Sequence, residues 1–180
     1  TQEIVGAYRL GLTDEIIRSR GVRGLYTKTL FNFDERLLDS LGPAVELGRS
    51  FIRTEYQRNF KPLMLLWRGI SRFICLKPKY RYFFGVVSIS NEYAAASKRL
   101  MTDFVSSTRM VSDFESLISP RNRHHPKRVR HWDLEPFRIA CTELEDVEEL
   151  VRDIENGRQG VPILLKQYLK LNAKLITFFN

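Results

Sequence analysis

Two kinds of hydrophobic period divide this chain. Residues 3–10 place Ile4, Gly6, Tyr8 and Leu10 two apart, which predicts a half-buried strand. Residues 24–31, rich in β-branched and aromatic side chains, read as a second strand, with 14–23 as loop and a helical turn between them. Residues 34–41 fit a short helix closed by Gly42 and Pro43, and 44–53 a third strand. A polar break over 54–59 leads into a helix over about 62–74. There Leu63, Leu66, Trp67, Ile70, Phe73 and Ile74 share one face, while Lys61, Arg68 and Arg72 lie off it.

Residues 83–90 are apolar with little alternation, as in a strand covered on both faces. Ser90 or Asn91 can cap a helix that runs on to about Val105. Thr142-Glu-Leu-Glu145 has the spacing of a capping box. It opens a helix with Leu144, Val147, Leu150, Val151 and Ile154 inward, ended by Asn156-Gly157. A further helix over 162–171 and a last strand over 173–179 complete the pattern. Strands alternating with helices predict an α/β fold in a single domain over 1–180. Residues 106–136 carry few ordering signals, and 121–131 form a cationic loop longer than a routine connection.

At 180 residues and 43% hydrophobic content, the chain can bury a sizeable core. No apolar run reaches the roughly 18 residues of a membrane-spanning helix, and no secretory leader is visible. Cys75 and Cys141 sit in apolar surroundings without a CxxC spacing, so inert, buried thiols in a reducing setting are expected. The net charge of +8 is unevenly placed. Residues 142–155 hold seven acids and one arginine, leaving 28 basic against 14 acidic side chains elsewhere. Such a surface either is merely solvated or favours an acidic partner: a carrier protein, phosphates, anionic lipid or nucleic acid.

Several strings of residues carry a family likeness. Glu46-Leu-Gly-Arg-Ser50, Arg53-x-Glu-Tyr56, Leu66-Trp-x-Gly-Ile70 and Phe84-Gly-x-Val-Ser-Ile-Ser90 resemble the GNAT-like acyltransferases related to ornithine-lipid synthases, often labelled haemolysin-like. Gly160-Val-Pro-Ile-Leu-Leu-Lys-Gln-Tyr-Leu169 resembles the C-terminal segment of the same family. The matches cover about 3–105 and 158–180, in order. More remotely, the chain is similar to the acyl-homoserine-lactone synthases. The resemblance implies a GNAT fold: a mixed, twisted sheet flanked by helices and splayed between strands at about 46–53 and 83–89. It also implies transfer of a fatty acyl group from acyl carrier protein, or from coenzyme A, to the amine of an amino acid or derivative. No permanently bound cofactor is implied, only an acyl-phosphopantetheine donor. Against the family's usual extent, both ends of the chain read as truncated, and the acceptor is left open.

Acyl transfer to an amine needs a neutral nitrogen, a polarised thioester carbonyl and a proton for the leaving thiolate. Glu46 is the one acid in the strand over 44–53 and is the candidate base, directly or through water; its alternative is a structural ion pair with an arginine. By strand alternation Arg49 points to the opposite face from Glu46, unless a bulge intervenes. Arg49, Ser50, Phe51, Ile52 and Arg53 are candidates to line the pantetheine arm, which in this fold pairs with exposed strand backbone. The following loop, Gln57-Arg-Asn-Phe-Lys-Pro62, lacks the glycines that let backbone N–H groups wrap a pyrophosphate. That favours a carrier protein's single phosphate over coenzyme A, with Gln57, Arg58, Asn59 and Lys61 as candidate contacts. Ser88, Ser90 and Asn91 are candidates for the substrate side, where ligands of open α/β sheets bind, and Tyr93 for protonating the thiolate. Capping and packing explain Ser90, Asn91 and Tyr93 as well.

Two further readings stay open: an acyl-homoserine-lactone synthase-like enzyme that uses S-adenosylmethionine, and a non-enzymatic GNAT-like module that binds carrier or membrane. His124, His125, His131, Asp133 and Cys141 match no standard zinc spacing, and the surrounding cations disfavour a metal. No nucleic-acid motif accompanies the charge. The expected partner is acyl carrier protein. The expected location is the cytoplasm, with peripheral contact at the inner face of an anionic membrane through the basic loop.

Overall fold

The computed structural model describes residues 3–122 and 135–178. It divides into two compact units, Thr1–Val86 and Val87–Asn180.

The first unit holds β1 (Gly6–Leu12), α1 (Thr13–Arg20), β2 (Phe31–Phe33), α2 (Glu35–Leu41), β3 (Ala44–Ile52), α3 (Lys61–Leu76) and β4 (Tyr82–Gly85). β3 is the central strand of a mixed sheet: β1 pairs with it antiparallel and β4 parallel. α1 is a full helix where only a helical turn was expected. Asp14 and Glu15 in its first turn and Arg18 and Arg20 in its last complement the helix dipole. The strand expected over 24–31 is instead a pair of three-ten turns, Val22–Gly24 and Thr27–Thr29, before the short β2. The threonines tip the balance, because Thr29 Oγ1 donates to the Tyr26 carbonyl at 2.6 Å and so competes with a ladder. α2 starts as predicted, with Asp34 accepting from the Arg36 N–H, and stops at Gly42, whose φ of 60° suits glycine.

β3 supplies the core, with Ala44, Val45, Glu46 and Leu47 buried. α3 turns Ile70 fully inward, sets Trp67 edge-on to Tyr8 at 6.3 Å, and stacks Phe73 near Tyr80 at 5.8 Å. Ile74 is 40% exposed rather than on the inner face, and Cys75 beside it is exposed, so of the two cysteines only Cys141 is buried as expected. The strand expected over 83–90 is shorter than predicted. The parallel ladder runs from Ala44↔Tyr82 to Leu47↔Gly85 and ends there. β4 presses so close at Gly85 that a Cβ would sit 2.3 Å from the Leu47 carbonyl oxygen, and beyond it β3 leaves regular geometry.

The second unit contains α4 (Ala95–Arg109), β5 (Ile118–Pro120), α5 (Glu135–Ala140), α6 (Leu144–Ile154) and α7 (Ile163–Lys170). Its core joins Leu100, Met101 and Phe104 of α4 to Val147 and Val151 of α6 and Leu165 and Leu169 of α7. α4 begins later than expected, and neither Ser90 nor Asn91 caps it. Glu155 takes that part, accepting from the Ala94 N–H at 2.8 Å and the Ser97 hydroxyl at 2.6 Å. The box at the start of α6 is shifted by one residue. Asp146 accepts from the Glu143 N–H at 2.8 Å, because that register places Leu144 in the core. The last strand reduces to a single bridge between Leu175 and Met110.

Candidate active site

The candidate site is the C-terminal half of β3. Glu46 is completely buried. Its Oε1 accepts from the Thr27 N–H and the Thr27 hydroxyl, both at 2.8 Å. Its Oε2 accepts from the Tyr26 N–H at 3.0 Å and from Arg9 Nη2 at 3.2 Å. A carboxylate offers about four lone-pair sites, so these four donors fill it. Glu46 therefore ties the turn at Tyr26–Thr27 and β1 to the central strand. The structural ion pair with an arginine is present, and the partner is Arg9.

Two residues further on, the strand bulges. Between the pairs Ala7↔Phe51 and Arg9↔Gly48, β1 advances two residues and β3 three. Arg49 absorbs the extra residue with φ at 50°, in the left-handed region that ordinary side chains seldom adopt. The bulge breaks the simple alternation expected for Arg49 and sets its guanidinium 5.4 Å from the Tyr26 ring. Cation, ring and the buried carboxylate beneath thus form one connected group.

The parallel ladder ends where the bulge begins. Among the described residues, no strand pairs with the β4-side edge of β3 beyond Leu47. Ser50 is exposed, Phe51 is 52% exposed and Ile52 half-buried along this stretch. Arg53 is engaged elsewhere: its guanidinium pairs with both Glu3 and Glu55, and its N–H donates to the Val5 carbonyl. Gln57 Nε2 caps the strand end by donating to the Ile52 carbonyl at 2.9 Å. A three-ten turn, Thr54–Tyr56, then leads to α3, where Asn59 Oδ1 accepts from the Lys61 N–H at 2.9 Å. Arg58 and Lys61 are exposed at this helix start. Unpaired strand backbone thus leads towards a helix N-terminus carrying two cations, an arrangement suited to an extended arm that ends in a phosphate.

The remaining predicted residues lie in the second unit. Ser88 and Ser90 are exposed, and Ser90 Oγ accepts from the Glu92 N–H in a turn. Asn91 Oδ1 accepts from Lys98 Nζ at 3.4 Å. Tyr93 is 8% exposed within the core, and its hydroxyl donates to the Gly160 carbonyl at 2.7 Å. Burial pushes this phenol above its usual range, and the Glu155 and Glu148 carboxylates add to the shift. These contacts describe a packed, hydrogen-bonded core tyrosine.

Arg9, Tyr26 and Thr27 were not singled out from the sequence, although their donors define the surroundings of Glu46. The signal that could have marked them is the Thr27-x-Thr29 pair after Gly24, which favours a turn over a strand. An open cavity of about 450 Å³ lined in part by Thr13, Asp14, Arg18 and Asp39 lies near Ala44, at the other end of β3 from the bulge. Histidines 124, 125 and 131, with most of the basic loop and Asp133, lie outside the described residues. Among those described, no helix is long and apolar enough to cross a membrane.

Comparison with known proteins agrees with this geometry. Residues 1–68 match the acetyltransferase (GNAT) domain, the stretch that contains β1, the turn at Tyr26, the bulged β3 and the start of α3. The match makes residues 1–68 similar to that domain, and the mixed-sheet α/β architecture is consistent with the GNAT fold. It is similar to the glycine N(alpha)-acyltransferases of Phocaeicola vulgatus and Bacteroides thetaiotaomicron, with 28% identity to each over 98% of this chain. The aligned region covers 56% and 54% of those proteins, so the chain spans about half the length of the curated relatives it matches. No solved structure matches it.

Proposed function

We propose that this chain transfers a fatty acyl group from the phosphopantetheine of acyl carrier protein to the amine of an amino acid, glycine first among the candidates. The observation that carries this reading is the bulged β3, whose edge at residues 48–51 no described strand pairs with on the β4 side, leading to the cationic start of α3. The named activity of the two relatives supports glycine as the acceptor, which the motif resemblance left open.

In this reading the pantetheine arm adds to the free edge as a further strand would, through its amides. N–H groups freed by the bulge polarise the thioester carbonyl and stabilise the oxyanion that develops there. The amine nitrogen attacks the carbonyl carbon, a C–N bond forms and the C–S bond breaks. The proton lost by the amine balances the one taken up by the departing thiolate. Glu46 is a positioning residue here: its four bonds hold Arg9 and the Tyr26 turn, and through them Arg49 and the bulge. Arg58 and Lys61 meet the donor's phosphate, and the loop without glycine favours the single phosphate of a carrier protein.

The test is incubation of the protein with acyl carrier protein loaded with long acyl chains, in parallel with the matching acyl-coenzyme A, and a pool of amino acids. Mass spectrometry is expected to find N-acylglycine, formed faster from the carrier protein. An N-acyl product from acyl-coenzyme A alone overturns the donor assignment, and no N-acylated product from either donor overturns the function.

A further inference from the structure

We infer that the outward face of α3 is a docking surface for a bilayer rich in anionic phospholipid. Within the first unit α3 packs through Trp67, Ile70 and Phe73. Its other side presents large apolar groups to solvent: Met64 is 56% exposed, Leu65 65% and Leu76 64%. Lys61, Arg68 and Arg72 lie among them at helical spacing, all exposed. The stretch around the helix is of one sign. Residues 56–91 contain seven lysines and arginines and not one aspartate or glutamate. Among the seven, Lys79 pairs with Asp14 from another element, and among the described residues no carboxylate pairs with Lys61, Arg68 or Arg72.

Exposed aliphatics and unneutralised cations on one helix side match the two layers of a membrane surface. Phosphates meet the cations while methyl and methylene groups enter the acyl boundary. The exposed apolar positions run from Met64 to Leu76, about 18 Å along the helix at 1.5 Å per residue. The chemistry proposed above adds a reason that rests on that reading: an N-acyl amino acid is an amphiphile, and a bilayer beside the enzyme would receive it.

Vesicle co-sedimentation tests the surface without turnover, so its outcome is separable from that of the acyltransfer assay. The protein is expected to bind phosphatidylcholine vesicles containing phosphatidylglycerol, not phosphatidylcholine alone, and to lose binding as salt rises. Arg68→Glu with Arg72→Glu is expected to lower partitioning at least about tenfold. Leu65→Ser with Leu76→Ser is expected to lower it as well, with the unfolding midpoint unchanged in both. Absence of binding to the anionic vesicles overturns the inference. So does binding that survives both pairs of changes but is lost on reversing charges within 121–131. Loss, in the same variants, of binding to a soluble acidic carrier protein while the wild type ignores vesicles assigns the face to protein and overturns the lipid surface.

Discussion

Glu46 holds Arg9, Tyr26 and Thr27 to one carboxylate, and its worth is therefore structural. Replacing it by glutamine leaves an amide nitrogen facing donors and strands the Arg9 guanidinium. Glu46→Gln is expected to cost about 2–4 kcal/mol, read as a lowered midpoint in urea unfolding. An unchanged midpoint would show that the four bonds are not formed in solution. Arg49 gives a complementary test of the bulge. Arg49→Gly keeps the left-handed φ without strain and loses only the contact with Tyr26, so stability is expected to stay within about 1 kcal/mol. Arg49→Val, with a β-branched side chain at the same φ, is expected to cost about 1–3 kcal/mol, and equal stability of the two variants would argue against the bulge. The importance of Glu46 was legible as the one acid of an apolar strand. Its partners were not, because Arg9 lies 37 residues away and Thr27 19 residues away in sequence.

At the level of elements, the close approach of β4 to β3 rests on Gly85. Gly85→Ala would put a Cβ against the Leu47 carbonyl, part the two strands and cost on the order of 2 kcal/mol. A retained unfolding midpoint would contradict the ladder as described. The start of α4 depends on Glu155. The Ser97 hydroxyl, chiefly, holds this carboxyl below its ordinary value of 4.5; burial opposes the shift, and the Ala94 N–H and Gln159 reinforce the lowering. A carboxyl lowered by folding contributes stability above its unfolded pKa and loses it as pH falls through the folded one. The thermal midpoint is therefore expected to fall as pH drops below about 4.5, and Glu155→Gln to flatten that profile. A profile of equal slope in the variant would remove Glu155 from the account. Elements with a strong period or a clear stop, such as α2, α3 and α6, were legible in the sequence. The strand misread at 24–31 shows the limit: side-chain preference pointed to a strand, while threonine hydroxyls and the distant Glu46 held a turn. The early end of β4 was equally hidden, since it follows from a bulge in the neighbouring strand.

For the whole molecule, the informative split is that the first unit carries the bulge, the free edge and the cationic helix start, while the second is a helical core around α4, α6 and α7. Of the residues the sequence proposed, those from Glu46 to Lys61 fall together in the first unit. Ser88, Ser90, Asn91 and Tyr93 fall in the second, and Tyr93 is absorbed into its core. Local motif and strand pattern were enough to group the donor-side candidates along one strand and the loop that follows it. Tyr93 could not be assigned in that way, because only the packing of Gly160 against it shows where its proton goes. The central claim is that a donor's pantetheine arm lies along the β4-side edge of β3. Its most direct measurement is a titration of isotope-labelled protein with acyl-phosphopantetheine, followed through backbone amide resonances. The expected result is a saturable shift concentrated in residues 48–53 and at the start of α3. Saturable shifts confined to the cavity near Thr13 and Arg18, with the amides of 48–53 unmoved, would contradict it.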